Sequence, residues 1–267
     1  MLVRGERGIL SLICFFVALS SAPAASLFLQ IPGISGEQSP PGFPGAMAVQ
    51  TLQITPDNLV IVKNLDSTSS AITAAVVAGT LFPAAHALVY NSPPAAPPDA
   101  SLTFLNVTAT GQQLLGGGIE QDSFVATNPA SIFLELPGIT GGSSTPGHPG
   151  VIQISSFTLS ANQFSIIKPI DSATAPIMLA VATGTPFATS SVLFYNSASP
   201  SGPPDSVFTF GTVLATGSQI VAGGEVPSEQ DTFTFVSVPE PAITSLLACA
   251  LFFCFGWRTR ARVSHGR

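Results

Sequence analysis

The sequence predicts a mainly β protein: two tandem antiparallel β-barrel or sandwich domains, each with one short α-helix, followed by a C-terminal transmembrane helix. Three observations predict this. The chain contains itself twice: Ser26-Leu-Phe-Leu-Gln-Ile-Pro-Gly-Ile-Ser-Gly36 returns as Ser131-Ile-Phe-Leu-Glu-Leu-Pro-Gly-Ile-Thr-Gly141, an offset of 105 residues from 26 to 131. Within each copy the apolar residues alternate in short runs bounded by proline and glycine, the period of strands. One run per copy has helical spacing instead. A period this long marks a duplicated domain, because solenoid units repeat every ~20–50 residues.

In copy one, Leu27, Leu29 and Ile31 alternate with Phe28 and Gln30, and Pro32-Gly33 closes the strand. Copy two repeats this with Ile132, Leu134 and Leu136. After a loop rich in proline and glycine, residues 46–54 and 151–159 read as strands, as do 59–62 and 164–167. The helical pattern follows: Ile72, Ala75, Val76 and Gly79 in one copy, Ile177, Ala180, Val181 and Gly184 in the other. Ser69 or Ser70 suits the first N-cap, Pro176 suits the opening turn of the second helix, and Gly79 and Gly184 suit the C′ positions. Strands at 87–90, 102–108 and 122–125 complete the copy, with counterparts in the second. The expected divisions are a signal peptide at 1–25, β-domains at 26–126 and 131–237, and a sorting segment at 238–262 containing the helix 243–257.

Charged residues make up only 8% of the 267-residue chain, against about 25% in ordinary domains. Between Ser26 and Val238 only Lys63 and Lys168 are basic, against twelve Asp and Glu, so that body carries about −10. Such a surface repels phosphate backbones and excludes nucleic acid as a partner. Cys14, Cys249 and Cys254 all lie in the terminal segments. The body therefore holds neither a disulfide nor a cysteine-ligated metal, and depends on its hydrophobic core.

The two ends read as addresses. Arg4 and Arg7, the apolar run 9–19 and Ala22-Pro-Ala24-Ala25 form the three parts of a secretory signal. At the other end, Pro239-Glu240-Pro241 precedes the apolar run 243–257 and the basic residues Arg258, Arg260 and Arg262. The run is about the length of a minimal spanning helix, and the arginines would stay cytoplasmic. Motif, helix and basic tail in this order resemble the PEP-CTERM sorting signal. That resemblance implies recognition by an exosortase in a Gram-negative, exopolysaccharide-producing bacterium. The chain would be anchored by the helix before processing, then lie at the cell surface or outside the cell.

A second resemblance spans nearly all of both copies. The opening Phe-Leu-x-Ile-Pro-Gly-Ile-x-Gly, the Lys-x-x-Asp before a short helix ending in glycine, and the closing Glu-x-Asp-Ser/Thr-Phe strand are similar to the Hcp family. Hcp proteins are the tube proteins, and sometimes the effectors, of type VI secretion. Each copy is shorter than a typical Hcp protein and lacks the tryptophan usual in its early strand; Trp257 belongs to the tail. The resemblance implies six-membered rings, so with two domains per chain a homo-oligomer of three chains closing a pseudo-sixfold ring is expected.

Lys63 with Asp66, and Lys168 with Asp171, are the sharpest polar pattern and read as structural ion pairs or helix-entry hydrogen bonds. Glu120 and Asp122, like Glu229 and Asp231, lie two apart in strands and share a face, expected to be solvated. His86 and His148 do not recur between copies, and no nucleophile elbow or P-loop is present. No catalytic, cofactor-binding or metal-ligating residue is expected. The function expected is a non-catalytic structural or adhesive role at the surface or in the matrix, with exosortase and exopolysaccharide as partners. The alternatives are an Hcp-type tube or effector, and a glycan-binding or polysaccharide-active surface protein.

Overall fold

The computed structural model describes residues 25–90, 98–143, 145, 149–198, 200–221 and 227–235. The segment 1–24, the sorting motif Pro239, Glu240 and Pro241, the expected transmembrane helix 243–257 and Arg258, Arg260 and Arg262 lie outside the described residues. Among the described residues, no helix is long and apolar enough to cross a membrane.

The first copy runs β1 (Ser26–Gln30), β2 (Met47–Val49), β3 (Thr51–Ile54), β4 (Asn58–Asn64), α1 (Ser69–Ala78), β5 (Leu81–Tyr90), β6 (Ala100–Gly116) and β7 (Ile119–Val125). The second repeats that order as β8 (Ser131–Glu135), β9 (Ile152–Ile154), β10 (Ser156–Ser160), β11 (Gln163–Pro169), α2 (Thr174–Thr183), β12 (Pro186–Tyr195), β13 (Ser206–Val221) and β14 (Ser228–Phe235). The single strands expected over 46–54 and 151–159 are each broken, at Gln50 and at Ser155. The break closes the barrel. β2 bonds to β1 while β3, one residue later, bonds to β4, and β1, β5, β6, β7 and β4 pair in succession. The hydrogen-bonded neighbours therefore form a ring in each half.

All these pairs are antiparallel and join in one 14-stranded sheet, ordered β2-β1-β5-β6-β7-β4-β3-β10-β11-β14-β13-β12-β8-β9. The order reads the same from either end once the repeats are equated. At the seam Ile54 faces Phe157, Gln53 faces Thr158, Leu52 faces Leu159 and Thr51 faces Ser160. Gln53 and Thr158 are equivalent positions of the two copies, so the same edge of each half meets itself about a local twofold axis. The joining segment is tied down as well. Asn128 Oδ1 accepts from the Leu105 amide (2.5 Å), and Asn128 Nδ2 donates to the Thr103 carbonyl (2.7 Å) and to Asn196 Oδ1 (2.8 Å).

Buried side chains of both halves form one contiguous apolar cluster. The second half is aromatic where the first is aliphatic: Phe157, Phe164, Phe194 and Phe208 stand where the first has Leu52, Leu59, Val89 and Leu102. Phe164 stacks on Phe210 at 4.7 Å and on Phe233 at 4.8 Å.

Each helix buries only two residues, Ile72 and Ala75 in α1, Ile177 and Ala180 in α2. The expected serine N-cap is not formed: Thr68 precedes α1 without a side-chain cap bond, and Ala173 precedes α2. Both helices end at a left-handed glycine, Gly79 with φ 60° and Gly184 with φ 63°. Alanine at either position would place a Cβ in that conformation, with an expected cost of about 1 kcal/mol in chemical denaturation. Gly36 and Gly141 matter for a different reason. A Cβ on Gly36 would lie 2.2 Å from the Ala46 carbonyl oxygen, and one on Gly141 2.4 Å from that of Val151.

A buried ionic cluster as the candidate functional site

Lys63 ends the inward alternation of β4, and Glu120 faces it directly across the pair with β7. Its side chain is fully buried. Nζ lies 2.7 Å from Asp66 Oδ1 and 2.6 Å from Glu120 Oε1, and donates to the Ser69 hydroxyl (3.3 Å) and the Asn64 carbonyl (3.3 Å). Asp66 sits where the chain turns toward α1, and its Oδ1 also accepts from the Thr68 amide (2.9 Å) and hydroxyl (2.5 Å). The Ser69 hydroxyl donates to Glu120 Oε1 (2.7 Å), and Gln112 Nε2 donates to Glu120 Oε2 (3.0 Å) and to the Ser69 carbonyl (3.1 Å). Helix entry, β4, β6 and β7 are thus fastened at one point.

The second half builds the same arrangement. Lys168 Nζ lies 2.5 Å from Asp171 Oδ1 and 2.6 Å from Glu229 Oε1, and donates to the Thr174 hydroxyl at 3.1 Å. The Thr174 hydroxyl donates to Glu229 Oε1 (3.0 Å), and Asp171 Oδ2 accepts from the Gly142 amide (2.7 Å).

The solvated face expected for Glu120, Asp122, Glu229 and Asp231 is instead the barrel interior, where all four are buried. β7 and β14 alternate as foreseen, but these carboxylates share the inward face with Phe124 and Phe233. Glu120 and Glu229 are bound by the lysines. Neither carboxyl oxygen of Asp122 or Asp231 has a partner at good hydrogen-bonding geometry, although the Gln112 amide and the Ser218 hydroxyl lie near enough to act against the rise of their pKa values.

Burial works against the Lys63 charge, but its hydrogen bonds to Asp66 and Glu120 outweigh that and hold its pKa above the ordinary value. For Asp66, burial works upward, and the Lys63 ammonium with the Thr68 donors outweighs it, leaving the carboxyl below its usual range. Asp171 is likewise pushed up by burial but held low by Lys168 and the Gly142 amide. These two depressed carboxyls contribute stability that is present above their unfolded value of 3.8. That part is lost as pH falls below about 4, which acid titration of the folded signal would detect. A lysine held protonated and enclosed by carboxylates is a poor nucleophile.

His86 lies on β5, half-buried, with Nδ1 3.0 Å from the Thr103 hydroxyl and its ring 5.9 Å from that of Phe43. His148 lies outside the described residues. No group of three His, Cys, Asp or Glu fit to hold a metal occurs among the described residues. With both lysines internal, the described surface displays no lysine or arginine.

No protein-family model matches the chain, and no curated protein matches it. Several solved structures are similar, among them Hcp and type VI secretion proteins and MrkH of K. pneumonia in its apo state, which is 8% identical over 90% of each chain at a TM-score of 0.25. Hcp1 from Salmonella typhimurium is 21% identical, with 39% of this chain and 79% of that one covered, at a TM-score of 0.34. A type VI secretion system effector from Yersinia pestis is 19% identical, covering 39% and 83%, at 0.34. The secreted protein Hcp3 from Pseudomonas aeruginosa is 14% identical, covering 39% and 85%, at 0.31.

Proposed function

We propose that the chain is an exported, non-catalytic structural or adhesive protein of the bacterial surface or extracellular matrix, sorted by an exosortase through its C-terminal tail. The observation behind this reading is how the polar side chains are spent. The only two lysines of the body, and the carboxylates beside them, are turned inward and bound to one another. What faces outward is sparsely acidic, with exposed apolar residues such as Val77 and Leu179 on the helices. A body whose described residues expose no lysine or arginine has no cation to pair with anionic polysaccharide, so the matrix partner proposed is a neutral glycan.

The seam bears on assembly. Its two halves meet through the same edge about a twofold axis, whereas neighbours in a flat ring meet head to tail. Three chains would therefore place six halves in two opposed layers related by twofold axes.

Expression of the full chain in an exosortase-containing Gram-negative host tests the sorting reading. The wild type is expected to lose its tail and to appear at the surface or in the medium. With Pro239, Glu240 and Pro241 replaced by alanine it should stay in the membrane fraction with its tail. With the signal peptide 1–25 removed, the mature chain is expected to begin at Ser26, the first residue of β1. Export that persists without the exosortase and requires a type VI apparatus would replace this reading with the Hcp-type one.

A further inference from the structure

We propose that Asp122 and Asp231 are held in the folded barrels as neutral carboxylic acids, each a proton-binding site that ties the stability of the fold to pH. The geometry of the two clusters leads to this. In the first half Asp122 projects inward from β7 two residues from Glu120, and across the sheet it faces Ile61 of β4 and Gln112 of β6. The charged groups around it are Glu120 on its own strand, Lys63 on β4 and Asp66 at the entry to α1. One ammonium thus serves three carboxyls. Its contacts go to Asp66 and Glu120, and both enclosed Asp122 oxygens lack a partner at good hydrogen-bonding geometry, the Gln112 amide opposite only partly offsetting their burial.

The second half presents the same surplus. Asp231 on β14 faces Ile166 of β11 and Ser218 of β13, with Glu229 on its own strand and Lys168 on β11. Lys168 binds Asp171 and Glu229 Oε1, leaving Glu229 Oε2 and both Asp231 oxygens without a partner at good hydrogen-bonding geometry; nearby Ser218 works against the rise of the Asp231 pKa and Glu229 works toward it. Ser218 stands where the first half has Gln112, which in that half reaches the glutamate. An ionised aspartate here would bury a second uncompensated charge, whereas the neutral acid adds a donor where acceptors are in excess. Burial, reinforced by the Glu120 charge, raises the Asp122 pKa from 3.8 to about 7. Burial, with the Glu229 charge acting the same way, raises that of Asp231 from 3.8 to about 6.

The linkage has a definite sign. Between the unfolded value of 3.8 and the raised native values, the folded chain holds more protons than the unfolded one. This part of the stability is complete below the unfolded value and is lost as pH rises through about 6 and then about 7. His86, lowered by burial, works in the opposite direction and cannot imitate the effect.

The test is urea denaturation of the full-length chain in mild detergent, buffered at steps between pH 4.5 and 8. The unfolding equilibrium constant of the wild type is expected to rise roughly tenfold per pH unit for each aspartate still protonated. The dependence should be steepest below pH 6 and should level off above about 7. In the Asp122→Asn, Asp231→Asn double variant, amides replace the neutral acids in shape and charge, and the fall in stability with rising pH should disappear, leaving only the opposite slope of His86. Wild-type stability that stays flat or rises over this range overturns the proposal, as does a fall retained in the double variant. Infrared spectra of the folded wild type give a readout that needs no variant. A protonated carboxyl band at pH 5.5 that vanishes by pH 8 is expected, and its absence at pH 5.5 overturns the proposal.

Discussion

Lys63→Met is expected to lower the unfolding free energy by about 3–5 kcal/mol at neutral pH, the cost of stranding one partner of a buried ion pair. Methionine fills similar volume, so the loss reports charge rather than a cavity. Glu120 is fully buried and would be left beside Asp66 and Asp122 without a cation. The deficit should shrink in mild acid, because the stranded carboxyls can take up protons and cease to be charged. Urea denaturation of the variant and the wild type at pH 5 and pH 8 checks both parts. A loss below 1 kcal/mol at pH 8, the range of exposed pairs, would show that the cluster is solvated in solution. Lys168→Met should behave alike, since its contacts with Asp171 and Glu229 have the same lengths within 0.2 Å.

Phe157→Ala is expected to cost about 3–5 kcal/mol, the range for removing a fully buried ring. Phe157 stands at the seam opposite Ile54 and has rings on several sides: Phe194 at 5.8 Å, Phe164 at 5.9 Å, Phe208 at 6.1 Å and Phe210 at 6.3 Å. The equivalent position in the first half is Leu52, so Leu52→Ala should cost less, having fewer atoms to lose. Because the main apolar cluster takes in buried residues of both halves, the wild type should unfold in a single transition. Calorimetry checks this: two resolved transitions in the wild type would mean that the seam does not couple the halves.

Much of the fold was legible because it is local. Alternation along β4 and β7, the helical spacing of Ile72, Ala75 and Val76, and the glycines that end both helices depend on neighbours a few positions away. The pairing of Lys63 with Asp66 was legible for the same reason, spanning three residues at a helix entry. The rest of the cluster was not. Ser69 and Glu120 meet across 51 positions, and nothing near Glu120 in the chain signals a lysine on the adjacent strand. A Glu-x-Asp pair in a strand occupies one face, but alternation alone does not say which face is inside. Here the hydrophobic signal and the acidic pair share that face, and the usual assignment of charge to solvent fails.

The sequence by itself determined that this protein is made twice from one β-rich unit, with a short helix in each copy and ends that read as export signals. It determined this because repetition, period and end composition are properties of neighbouring residues. The tertiary structure decided what lies between distant residues. The breaks at Gln50 and Ser155 let each half close, the pairing of Gln53 with Thr158 joins like edges about a twofold axis, and four carboxylates turn inward around two lysines. Each of these depends on which strand becomes the neighbour of which, and that is settled when the whole chain buries its apolar surface at once.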